Sequence, residues 1–198
     1  MENYNQFNKI TEVLFQEENG RGTRLLHSKN YSPTGDSGDT SVRDPATGLI
    51  YVSGSPLWVR QRDLGDARGW ERTIMDENCN IKNEWSDPTP EATTHAAIYR
   101  NRPEVFGIVH THSEWASVFG ILGREVPLKL AGMGLEGFIP CAGYGHAGSP
   151  ELNAFVVEVL GKDKNCCVMK NHGAIAVGDT LDRAFAVIAW REEVRQTA

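Results

Sequence analysis

Residues 104–115, read as EVFGIVHTHSEW, constrain this chain more than any other stretch. Val105, Phe106, Ile108 and Val109 form an apolar run long enough for one buried strand. The run ends in His110-Thr111-His112. Side chains alternate faces in an extended chain, so residues i and i+2 point the same way. Two imidazoles therefore project together from the end of a buried strand. Neutral imidazole is the commonest metal ligand in proteins, and two parallel ones make half of a four-ligand zinc site. A histidine pair at a strand end can equally be a hydrogen-bonding cap, and the pair alone leaves both readings open.

Around this strand the pattern predicts a mixed or antiparallel sheet covered by helices. Apolar spacings near three and four over residues 4–18 predict a first amphipathic helix, ended by Gly20 and Gly22. Residues 40–42 and 49–52 read as short strands joined by a turn at 44–48. A strand is expected over 70–75 and another near Ile81, before Asp87-Pro88-Thr89-Pro90 breaks the chain. A helix follows over 91–100, with Thr89 as N-cap and Pro90 at its first position. Helices over 113–122, 149–160 and 179–195 and strands over 138–140, 166–169 and 174–177 complete the series. Strands outnumber regular β-α-β units, which argues against a doubly wound nucleotide fold. At 198 residues the chain suits one domain, 1–198, with a substantial core.

Composition removes several functional classes. A formal charge of −6 disfavours nucleic acid and anionic membrane as main partners. No run approaches the roughly 18 apolar residues of a membrane helix, and the acidic N-terminal stretch has no signal-like apolar region. Cys79, Cys141, Cys166 and Cys167 show no C-x-x-C spacing. Reduced thiols and a cytoplasmic location are therefore expected.

A metal site needs a third protein ligand. His172, in KNHGAIAVG, also ends an apolar run and precedes a glycine. His27 and His146 sit in less defined segments, and His95, four residues after Glu91 on one helix, reads as structural or as a spare ligand. Three histidines with an open position form the catalytic type of zinc site, in which the ion acts as a Lewis acid on a bound oxygen. Glu91 opens the helix that precedes the histidine strand, so it can face the strand's end as a base. It can also be a plain first-turn acid on the helix dipole.

Four motifs in order, SGDTSVR, YVSGSP, PTPEATTHAAIYRNRPEVFGIVHTHSEWAS and NHGAIAVG, make the chain resemble the class II aldolase/adducin family over roughly residues 5–195. The resemblance implies a three-layer α/β/α fold with a central, mainly antiparallel sheet. It implies a homotetramer with active sites between subunits, and one Zn²⁺ per subunit, or another divalent ion, on His110, His112 and His172. Glu91 matches the family's acid–base carboxylate. The implied reaction is aldol cleavage of a small keto sugar or sugar phosphate through a zinc-stabilised enediolate. A sugar-phosphate 4-epimerase or a decarboxylase is the alternative within the family, and a non-catalytic adducin-head-like assembly module is the alternative outside enzymes.

The chain departs from the family at the substrate loops. Where phosphate-using members carry Gly-Asn, Ser-Gly or Thr-Gly, and Ser-Ser, this chain has Gly38-Asp39, Ser53-Gly54 and Thr89-Pro90. A carboxylate at 39 repels a phosphate dianion unless it is protonated or paired. Backbone N–H groups at Gly38 and Gly54 can still cradle an anion, and Arg43 is a candidate counter-charge. Gly38, Asp39, Ser53, Gly54 and Thr89 are thus the expected substrate-binding residues. The family's second proton donors have no counterpart at the matching positions; Tyr144 is the candidate substitute and Glu136 a second, and each taken singly also has a plain structural reading. The chain stops just after its last helix, so the family's C-terminal closing tail is expected to be missing or short.

Overall fold

The central strands are apolar on both faces, which forces helices onto both sides of the sheet. The computed structural model describes residues 2–34, 36–55, 64–83, 87–130 and 135–193. In chain order its elements are α1 (Glu2–Ser28), β1 (Asp39–Arg43), β2 (Ile50–Val52), β3 (Thr73–Met75), α2 (Ala92–Asn101), β4 (Gly107–Thr111) and α3 (Glu114–Leu122). Then come β5 (Val126–Leu130), β6 (Leu135–Ile139), β7 (Cys141–Ala142), α4 (Pro150–Leu160), β8 (Cys166–Met169), β9 (Ala174–Gly178) and α5 (Leu181–Glu193). Seven strands form one sheet in the order β3-β2-β1-β4-β9-β8-β7, while β5 and β6 pair separately. Every neighbouring pair of the large sheet is antiparallel except β7 with β8. The expected three-layer α/β/α arrangement with a mainly antiparallel sheet is the one observed.

Alternation divides the core in two. On one face Val109, Val168 and Ala176 pack with Leu26 of α1 and with Leu181, Phe185 and Ile188 of α5. On the other, Ile108, Met169, Ile175 and Val177 pack with Ala96 and Tyr99 of α2 and with Leu152, Val156 and Leu160 of α4. Adjacent Cys166 and Cys167 fall on opposite faces, and all four cysteines are free thiols. Among the described residues no helix is long and apolar enough to cross a membrane.

Three local expectations are corrected. Helix α1 does not end at Gly20 and Gly22 but runs through both to Ser28. A Cβ on Gly20 would lie 2.9 Å from the Gly69 backbone nitrogen, and one on Gly22 would lie 2.6 Å from Leu181 Cδ2. These glycines serve close packing, not termination. Helix α2 starts at Ala92 with Glu91 as its N-cap residue, so Thr89 does not cap it. The Thr89 hydroxyl is drawn instead toward two carboxylates. The strand expected over 138–140 is the second half of a full hairpin, β5–β6. Pro127 masks the first half, because proline is confined to edge strands such as this two-stranded ribbon.

Replacing Gly20 with alanine gains about 1 kcal/mol of helix propensity. The clash with the Gly69 backbone outweighs it, and a net loss of roughly 1–2 kcal/mol is expected, as for other overpacked sites. Urea unfolding of Gly20→Ala checks the sign: a raised midpoint refutes the packing account.

Candidate functional site

The sheet register builds the site. Asp39 of β1, His110 of β4 and Ile175 of β9 are directly opposed, so all three point to the face covered by α2 and α4. A carbonyl oxygen can only accept, so His110 Nδ1 carries a proton and donates to the Ala174 carbonyl at 3.0 Å. His110 Nε2 therefore presents its lone pair, and it lies 2.9 Å from His112 Nε2. His112 stands just past β4, where its backbone N–H donates to the Tyr31 carbonyl at 3.2 Å.

His172 arrives from the tight β8–β9 turn. Asn171 holds φ +56°, and its N–H donates to Gly120 O of α3. A Cβ on Gly173 would lie 2.1 Å from the Thr111 carbonyl oxygen. Only glycine lets the turn come this close to the end of β4. The three imidazole centroids lie 4.7, 4.9 and 5.0 Å apart in pairs. Their ligand nitrogens lie within 4.8 Å of one another, and so do the donor atoms of Asp39, Glu91 and His110.

The donor set suits a divalent ion. Burial pushes the His110 imidazole below its ordinary value, against the pull of Asp39 and Glu91. His112 is pushed down to about 4, first by burial and then by His110 and His172. A neutral imidazole keeps the lone pair that a metal needs. In one His112 tautomer its Nε2–H donates to His110 Nε2 at 2.9 Å; in the other, both nitrogens present lone pairs that a shared cation satisfies.

Glu91 and Asp39 bring negative charge beside this cluster. Glu91 Oε1 lies 3.3 Å from His172 Nε2. Burial raises the Glu91 carboxyl, but the His172 contact and His110 outweigh burial and the Asp39 charge, so it lies below its usual range. Asp39 is 2% exposed. Burial raises it too, yet His95, His110 and Thr89 together hold it well below the carboxylate range. Thr89 Oγ1 sits between the two, 2.6 Å from Asp39 Oδ2 and 3.0 Å from Glu91 Oε2, and its one proton goes to one of them at a time.

Of the residues singled out from the sequence, Glu91, His110, His112, His172, Asp39 and Thr89 converge in one cluster. Gly38 adjoins it, at φ +83°, where a Cβ would lie 2.8 Å from the His110 carbonyl oxygen. Gly54 bridges Pro88, tying the loop after β2 to the segment before Glu91. The Ser53 hydroxyl turns under α1, 3.0 Å from Thr23 Oγ1 and 3.1 Å from the Thr40 N–H that donates to it. Tyr144 is 49% exposed, with its hydroxyl 3.5 Å from His146 Nδ1, and takes no part in the cluster. The side chain of Glu136 lies outside the described residues. Arg43 points away: its guanidinium donates to the carbonyls of Tyr99, Pro103 and Val105. The residue the sequence undervalued is His95, fully buried, with Nε2 3.0 Å from Asp39 Oδ1.

Residues 21–198 match the family described as Class II Aldolase and Adducin N-terminal domain. The L-fuculose phosphate aldolase of Methanococcus maripaludis is 29% identical over 87% of this chain and 89% of its own. The 5-deoxy-D-ribulose 1-phosphate aldolase of Bacillus thuringiensis is 27% identical over 84% of this chain and 75% of its own. Among solved structures, an L-fuculose 1-phosphate aldolase superposes with a TM-score of 0.81 at 22% identity, covering 90% of this chain and 82% of that one.

The depressed histidines give a pH dependence. A group whose folded value is lowered takes up its proton in the unfolded chain first, so acid favours unfolding. Metal-free protein is expected to lose stability as pH falls from about 6.5, the ordinary histidine value, toward the value near 4 held by His112. Denaturant unfolding at stepped pH checks this, and His112→Asn flattens that part of the curve.

Proposed function

The chain belongs to the class II aldolase and adducin family, and from that membership we propose that it is a metal-dependent lyase cleaving a carbon–carbon bond in a small keto sugar phosphate. The observation that carries this reading is the convergence of three imidazoles with a buried carboxylate, Glu91, at 3.3 Å from one of them. His110, His112 and His172 would hold the ion, zinc being the reference case for three imidazoles and an open position. A bound divalent ion supplies Lewis acidity toward substrate oxygens.

The remaining work falls to the chain's own groups. In retro-aldol cleavage a hydroxyl loses its proton and becomes the new carbonyl, the adjacent carbon–carbon bond breaks, and the leaving fragment is reprotonated. Glu91 is the group at hand to carry that proton, since its carboxyl is held ionised and ready to accept. Its burial limits the access of bulk water to the transfer. The relatives support a phosphorylated substrate, because the curated aldolases named above act on sugar phosphates. Asp39 does not oppose this. Its two oxygens are taken up by His95 and Thr89, so its charge is spent inside the protein and not on an incoming anion. With Arg43 committed to carbonyls, the phosphate is left to backbone N–H groups of the Gly38 and Gly54 loops.

The homotetramer expected from the family resemblance is also part of this proposal. Trp115, Val118, Ile121 and Leu122 leave an exposed apolar stripe on α3, the helix that begins just after His112. A stripe of that kind beside the site suits a subunit contact.

Purified protein is expected to release aldehyde from L-fuculose 1-phosphate or 5-deoxyribulose 1-phosphate, followed by NMR of the products. Chelation abolishes the release, and one equivalent of Zn²⁺ or Co²⁺ restores it. Glu91→Gln is expected to lower kcat by about 10²–10⁴, the range for a lost acid–base group, with metal content unchanged. Aldehyde release that survives complete removal of metal would sink the reading.

A further inference from the structure

Behind the cluster, α2 and β1 form a polar ladder of which the proposed chemistry uses only the first rung, Glu91. Helix residues i, i+4 and i+8 recur about every 6 Å, and alternate strand residues about every 6.7 Å, so the two periods nearly match. Glu91, His95 and Tyr99 therefore run alongside Asp39, Ser41 and Arg43. His95 Nδ1 lies 2.8 Å from Ser41 Oγ, which lies 2.9 Å from Tyr99 OH. The Arg43 guanidinium covers the Tyr99 ring at 4.8 Å.

The middle of the ladder is fully dry. His95, Ser41 and Tyr99 are each at most 1% exposed. His95 Nε2 and Asp39 Oδ1 are 3.0 Å apart, within ion-pair reach although the N–H is off the line of a hydrogen bond. Neither atom has a hydrogen-bond partner among the described residues. Each therefore depends on the other, since a buried polar atom without a partner is costly. Asp39's second oxygen holds the Thr89 hydroxyl at 2.6 Å, and that hydroxyl reaches Glu91 Oε2.

We propose that His95 is a positioning residue for Glu91, acting through Asp39 and Thr89. His95 fixes the Asp39 carboxylate, Asp39 takes the Thr89 proton at 2.6 Å, and Thr89 Oγ1, so oriented, accepts the Glu91 N–H at 3.4 Å and fixes the backbone from which the Glu91 carboxylate reaches His172. The proposal rests on the reading of Glu91 as the acid–base group, but the geometry it asserts can be tested apart from activity.

Two variants test it, assayed with L-fuculose 1-phosphate and 5-deoxyribulose 1-phosphate and crystallised with zinc. His95→Leu is expected to lower kcat about 10- to 100-fold, the range for groups that orient a metal centre's ligands. KM stays within about twofold, and zinc stays at one per chain. His95→Gln, which keeps a donor toward Asp39, recovers part of the loss. In the His95→Leu crystal the Glu91 carboxylate is displaced from His172. If His95→Leu does not fold, Asp39→Asn, which keeps size and shape, takes its place with the same expected kcat loss and displacement. An unchanged kcat, a loss carried by KM alone, no recovery with glutamine, or an undisplaced Glu91 each overturns the proposal. Wild-type protein inactive on both substrates removes the lyase reading, while a displaced Glu91 in the variant crystal still supports the positioning role.

Discussion

Two buried carboxylates, Asp39 and Glu91, set the terms for everything near them. Burying a charge costs several kcal/mol unless it is paired and hydrogen-bonded. The protein meets that cost with His95 and Thr89 around Asp39, and with Thr89 and His172 around Glu91. Each partner is itself fixed by regular structure. His95 sits one helical turn after Glu91, Asp39 is the cross-strand partner of His110, and Thr89 is pinned by its N–H to the Ser53 carbonyl. Helix α2 and strands β1 and β4 are thus bound together at the point where polar chemistry is concentrated. A slip of one residue in β1 would turn Asp39 away from both His95 and His110.

The convergence of the three histidines was legible because it rests on local rules. Alternation along β4 brings His110 and His112 together, and the glycine after His172 marks a turn that needs close approach. A mainly antiparallel sheet covered by helices was legible from the pattern of short apolar runs, while the three-layer order came with the family resemblance. What escaped needed two elements to be read at once. His95 is an ordinary helix residue until α2 is laid along β1, and only then does Asp39 become its partner. Gly20 and Gly22 look like helix stops until the Gly69 backbone and Leu181 are seen against them.

Asp39 shows how far a local charge argument reaches. A carboxylate in a substrate loop reads as a barrier to phosphate when only its own segment is considered. In the fold both of its oxygens face inward, and the imidazole that meets one of them, His95, belongs to a helix distant in sequence. Arg43 errs in the opposite sense. Its positive charge looks available, yet it serves as a clamp on the carbonyls at the end of α2.

The neighbouring thiols Cys166 and Cys167 have a use that follows from their alternation. One is packed beneath α1 and α5, the other beneath α2 and α4. Both are sealed from solvent, so a thiol reagent can reach either only when the helical layer above it opens. A single peptide thus carries two reporters, one for each side of the sheet. Their separate labelling rates would distinguish a breathing motion of the layer that carries Glu91 from one of the layer that does not.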